Sequence, residues 1–155
     1  MKNHWALEFY NLAESRGVKC RIEKLINGWI ETINYSGKEY FTKSATYDLS
    51  RKQYFQGVDP PKMNENGAFV LFCGGRRDML TDIFIIPWDI FFKTLGMGKP
   101  INTYRPPKEY FQYKFYLRDR DGCWLMSVQG GKRPVLDVTN WHYDVFKALS
   151  FIGSA

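Results

Sequence analysis

The chain has 155 residues, of which 45% are hydrophobic, 25% charged and 17% aromatic. That size and mix predict one globular domain with a sizeable core, and exclude a disordered, collagenous or coiled-coil chain. Apolar runs such as Ala68–Cys73 fall far short of the about 18 residues a membrane span needs, so no membrane partner is expected.

Lys2, Glu8, Glu14 and Arg16 interrupt the N-terminal segment. No uncharged stretch remains there for a signal peptide, and a cytoplasmic protein is expected. Cys20, Cys73 and Cys123 stand far apart, with no CxxC or CxH pair. Reduced cysteines and no structural metal or other cofactor are therefore expected. His4 and His142 lie near opposite chain ends, and no spacing supports a Cys/His or Ser/His catalytic pair.

Lys and Arg total 22 against 16 Asp and Glu, a net charge of +6. Residues 1–57 carry 9 basic and 6 acidic groups, residues 58–104 carry 5 and 5, and residues 105–155 carry 8 and 5. The basic excess flanks a neutral middle. A basic chain rich in Tyr and Phe suits a polyanion, because cations bind phosphates and aromatic faces stack on bases.

Trp5, Phe9 and Leu12 recur at helical spacing, with Asn3 as a cap and Gly17 as a left-handed terminator. Val18–Leu25 alternates as a half-buried strand, and Asn27-Gly28 turns it into Trp29–Tyr35. Ser36-Gly37-Lys38 then leads to Glu39–Ala45, and residues 46–53 read as a polar loop. After a Pro/Asn/Gly connection at 59–67, Ala68–Cys73 and Ile83–Ile86 read as buried central strands. Pro87 ends the second, and Trp88–Leu95 forms a short helix stopped by Gly96.

Residues 97–108 have the composition of an exposed connection. Tyr110–Arg118 alternates most cleanly, with Phe111, Tyr113, Phe115 and Leu117 on one face and Tyr110, Gln112, Lys114, Tyr116 and Arg118 on the other. Asp121-Gly122 makes it a hairpin with Cys123–Val128. A last helix starts near Thr139 or Asn140 and aligns Trp141, Val145 and Leu149. The fold expected is one α+β domain spanning 1–155, a mixed β-sheet core with N-terminal, mid-chain and C-terminal helices.

Residues 6–17, 30–44, 67–72 and 82–87, read in that order, resemble the PD-(D/E)XK nuclease family of restriction-type proteins. The resemblance implies a helix before a β-meander whose third strand ends in acid-x-Lys. It also implies an Mg²⁺ site in which two carboxylates hold the metal and the lysine positions the attacking water. Lys43 stands at the family's lysine position, but Phe41 occupies the place of the acid two residues before it. The upstream aspartate falls near Gly28 or Trp29, and neither is a ligand. Glu31 and Glu39 are the carboxylates near enough to replace them. A B3-like restriction-enzyme recognition domain is the alternative resemblance.

Two surfaces are candidates for DNA. One gathers Lys43, Ser44, Tyr47, Arg51, Lys52, Gln53 and Tyr54 with Arg76 and Arg77 from the loop after the first buried strand. The other is the outward face of Tyr110, Gln112, Lys114, Tyr116 and Arg118. Solvated loops and a covered sheet face are the plain structural alternatives. The glycine doublets lack nucleotide-loop spacing, and Asp119–Gly122 lacks the closing Glu of a calcium loop. The function expected is a double-stranded DNA-binding module of a restriction or genome-defence protein, without catalysis of its own. The alternatives are a Mg²⁺-dependent endonuclease using Lys43, Glu31 and Glu39, and a protein-interaction domain.

Overall fold

The computed structural model describes residues 4–18, 21–26, 29–35, 38–58, 67–105, 108–130 and 135–153. Side chains are described within these except at 21–39, 101–111 and 153. In chain order the elements are α1 (His4–Ser15), β1 (Arg21–Ile26), β2 (Trp29–Tyr35), β3 (Lys38–Thr46), β4 (Tyr54–Val58), β5 (Ala68–Gly74) and β6 (Leu80–Pro87). They continue with α2 (Trp88–Leu95), β7 (Ile101–Arg105), β8 (Lys108–Arg120), β9 (Cys123–Val128), β10 (Leu136–Asp137), β11 (His142–Tyr143) and α3 (Val145–Gly153). The class is α+β, with helices at the start, middle and end of the chain.

Two sheets face each other. The first runs β1-β2-β3-β5-β6-β11 and is mixed, because β3 and β5 pair in parallel while its other pairs are antiparallel. The second runs β10-β9-β8-β4, antiparallel, with β7 paired to the first half of β8.

The centre of the first sheet is covered on both faces, so β5 and β6 need apolar residues at nearly every position. Phe69, Leu71, Cys73, Phe84 and Ile86 pack toward the second sheet and α2. Val70, Phe72, Ile83 and Ile85 pack toward α1 and α3, where they meet Phe9, Ala148 and Ile152. Phe69 stacks on Phe91 of α2 at 4.0 Å, and Phe115 of β8 meets both rings edge-on. This aromatic trio ties both sheets to the middle helix.

α1 approaches the sheet closely at Gly74. A Cβ there would fall 2.5 Å from the Trp5 ring, so the Trp5 indole fits only over a glycine. The indole N–H donates to Thr46 Oγ1 at 3.0 Å. Gly17 follows the helix at φ 72°. Asp121 and Gly122 both take positive φ, the primed turn that matches the twist of the β8–β9 hairpin.

Two expectations are corrected. Residues 97–108 are not simply an exposed connection, since Ile101–Arg105 pairs with Lys108–Gln112. The open edge of the first half of β8 supplies hydrogen bonds that composition does not reveal. The last helix starts at Val145, because Thr139–Trp141 forms a single 3-10 turn and His142 and Tyr143 pair with Phe84 and Ile83. The proposed cap at Asn3 and the turns at 27–28 and 36–37 lie outside the described residues.

Candidate functional site

At one end of the inter-sheet core, β6 carries a carboxylate among apolar neighbours. A register shift between β5 and β6, where Cys73 pairs with Asp82 but Gly74 with Leu80, places an extra residue at Thr81. Leu80 then packs on the helix side while Asp82 meets groups of the inter-sheet side. The N–H of Leu80 donates to Glu8 Oε2 at 2.9 Å.

Asp82 is buried and fully engaged. Its Oδ1 lies 2.8 Å from His142 Nε2, and its Oδ2 accepts from the Tyr54 hydroxyl at 2.7 Å and the Thr81 hydroxyl at 2.9 Å. Burial pushes its pKa up, but hydrogen bonds from His142, Tyr54 and Thr81 and the attraction of His142 outweigh that, leaving it below the ordinary value. Burial is the largest cause raising the Tyr54 phenol far above its ordinary value, so it stays neutral and donates. The His142 ring packs against Phe84 and Trp124 at 5.1 and 5.2 Å.

This knot sits beneath the cationic loop between β5 and β6. The Arg76 guanidinium lies 3.8 Å from Asp82, 5.0 Å from the Tyr47 ring centre and 5.9 Å from that of Trp124. Arg76 is therefore held over two aromatic faces rather than swinging in solvent. Arg76 and Arg77 line an open cleft of about 600 Å³ whose other wall includes Asp144 and Phe146 at the start of α3.

Tyr47 opens the second loop. Its N–H donates to the Gly74 carbonyl at 2.9 Å, which joins the two loops through their backbones. Asp48 and Gln53 close the loop by reciprocal backbone hydrogen bonds. Asp48 Oδ1 accepts from the Ser50 hydroxyl and from the N–H groups of Ser50 and Arg51. The Ser50 hydroxyl is the largest cause that lowers the Asp48 pKa. Arg51 and Lys52 are exposed at the tip. Lys52 at φ 54° and Asp78 at φ 54° give each loop one left-handed non-glycine residue.

Gln53 is 3% exposed, and its Oε1 accepts from Arg118 Nε at 2.9 Å. It thus serves a side chain of the protein itself rather than offering its carbonyl to a base edge. That bond joins the two surfaces inferred separately from the sequence: Arg51, Lys52, Arg76 and Arg77 continue into Arg118, and along β8 into Tyr116 and Lys114.

Lys43 and Ser44 stand apart from this grouping, on β3 paired with Leu71 and Phe72. Phe41 and Ala45, which alternate with Lys43 on its face, belong to the inter-sheet core. The Ser44 hydroxyl accepts from the N–H of Ala6 at 3.0 Å, which ties it to α1. The side chains of Glu31 and Glu39 lie outside the described residues. Among the described residues no three His, Cys, Asp or Glu side chains cluster as metal ligands, and no helix is long and apolar enough to cross a membrane.

Sequence reasoning placed Tyr47 and Tyr54 in the loop surface itself, and missed Asp82, Trp124 and His142 as the support of the loop cations. One signal was present: a carboxylate at the head of the apolar run Ile83–Ile86 has to find partners if buried. No known protein family, characterised protein or solved structure matches the chain.

Proposed function

We propose that the chain is a DNA-binding module that engages double-stranded DNA through the loops 47–53 and 75–79 without catalysis of its own. The observation that carries this reading is the joining of the two loops by the Tyr47–Gly74 hydrogen bond and the Arg76–Tyr47 contact. Arg51, Lys52, Arg76 and Arg77 thereby belong to one cationic rim, with Arg118 attached through Gln53. Preorganised cations bind phosphates with little loss of side-chain freedom, and phosphate contacts supply most affinity for duplex DNA. Its setting in a restriction or genome-defence protein rests on the sequence resemblance to PD-(D/E)XK proteins.

The test is a mobility-shift titration of mixed-sequence duplex DNA at low salt. The wild-type protein should retard the duplex, and Arg76→Ala/Arg77→Ala should weaken retardation while the thermal unfolding midpoint stays close to wild type. Failure of the wild-type protein to retard any duplex would overturn the reading and favour a protein-interaction role.

A further inference from the structure

The two loops of the cationic rim each lift one large apolar side chain into solvent. Leu49 in loop 47–53 is 73% exposed, and Met79 in loop 75–79 is 52% exposed. Among the described residues Leu49 is the most exposed of the large hydrophobic side chains. Single apolar side chains are common on protein surfaces. These two are set apart by where they stand and by how their backbones are held.

Leu49 sits inside a closed turn. Asp48 Oδ1 reaches past it to accept from the N–H groups of Ser50 and Arg51, and Asp48 and Gln53 close the loop through their backbones. The peptide group that follows Met79 is held at both ends. Its carbonyl accepts from the N–H of Gly75 at 3.3 Å, and its N–H, that of Leu80, donates to Glu8 Oε2 at 2.9 Å. Both apolar tips are therefore presented on ordered backbone, and little freedom is left to lose on binding.

Cations stand close to each tip in the chain: Arg51 and Lys52 follow Leu49, and Arg76 and Arg77 precede Met79. The carboxylates of the two loops are Asp48, already engaged by Ser50 and Arg51, and Asp78. Apolar side chains among cations complement an anion with an apolar interior. A base stack flanked by phosphates has that form. An anionic lipid surface shares it, but Leu49 and Met79 together carry fewer apolar atoms than a single acyl chain, which alone holds a protein only weakly on a membrane. One side chain is enough to open one base step.

We infer that Leu49 and Met79 form an apolar wedge that enters between base pairs of the bound duplex, while the neighbouring cations hold the phosphates beside it. Such a wedge rests on the duplex-binding reading above. It adds a preference for DNA whose stack is already weakened, because the cost of unstacking is then met before binding.

The experiment is fluorescence anisotropy with labelled duplexes of about 20 base pairs, one fully paired and one with adjacent mismatches at its centre. The wild-type protein should bind the mismatched duplex about tenfold more tightly than the paired one. Leu49→Ala/Met79→Ala should lose that preference and still bind the paired duplex within about threefold of wild type, since the wedge's gain there is offset by unstacking. Arg76→Ala/Arg77→Ala should weaken binding of both duplexes and keep their ratio. Equal binding of the two duplexes by wild type would overturn the wedge and leave the duplex-binding reading standing, whereas binding of neither would overturn both. A preference kept in the folded Leu49→Ala/Met79→Ala variant would also overturn the wedge. Binding to phosphatidylserine vesicles that is lost in the same variant would assign the tips to a lipid surface instead.

Discussion

The two sheets of this protein differ in what they leave for function. The centre of the first is covered on both faces, and its central strands β5 and β6 are apolar almost throughout. In the second, β8 alternates between buried Phe115 and Leu117, which face the core, and the outward Lys114, Tyr116 and Arg118. The first sheet spends its side chains on packing, with Asp82 as the buried exception. The second carries an outward row that mixes cations with aromatic rings. A residue's role here follows from whether a second layer covers it, more than from its chemical type: Phe69 and Phe55 are the same residue in different surroundings.

Truncating the covered ring should have the largest effect. Phe69→Ala removes a ring stacked on Phe91 and edge-on to Phe115, and should cost about 3–5 kcal/mol in urea or guanidinium unfolding. A loss below about 1 kcal/mol would mean that the inter-sheet core is looser than its geometry implies. Asp82→Ala comes next. It leaves the buried Tyr54 hydroxyl without its carboxylate acceptor, worth about 1–3 kcal/mol, and frees Arg76 from its anchor. Loss of duplex affinity alongside stability would tie the knot to the rim, whereas unaltered affinity would separate them.

Gly74→Ala should cost about 1–3 kcal/mol, because the new methyl meets the Trp5 ring and α1 must move away. The acid response of the protein should also depend on Asp82. Its folded pKa lies below the ordinary carboxylate value. Its contribution is therefore complete above the unfolded pKa and disappears as pH falls through the folded one. Unfolding measured from about pH 7 down to pH 3 should show a smaller acid loss in Asp82→Asn than in wild type. Identical slopes would remove Asp82 from the acid transition. At the small end, Phe55→Ala should change stability by no more than about 0.5 kcal/mol, since its ring is partly solvated on the outer face.

Local signals made much of this fold legible. β5, α2 and the β8–β9 hairpin follow from an apolar run, from Pro87 and Gly96 around a helical pattern, and from Asp121-Gly122. The C-terminal region misled because Trp141, Val145 and Leu149 keep helical spacing, yet Asp82 engages the His142 ring from 60 residues away and β6 pairs with its backbone. Tertiary contacts of that kind override local periodicity. β7 was missed for the same reason, since its pairing partner decides its conformation.

The site was legible in its charges and not in its supports. Arg51, Lys52, Arg76, Arg77 and Arg118 stand out as cations in turns or on an alternating strand. That Tyr47 and Trp124 would hold Arg76, or that Gln53 would hold Arg118 across 65 residues, depends on how the sheets face each other.

The most direct test of the central claim is the salt dependence of duplex binding. Log K against log salt should fall steeply for the wild-type protein. In Arg76→Ala/Arg77→Ala the slope should be shallower by about 0.9 for each phosphate contact removed. An unchanged slope in that folded variant would contradict the account, because it would mean that no counterion is released at the loop on which the proposed interface is built.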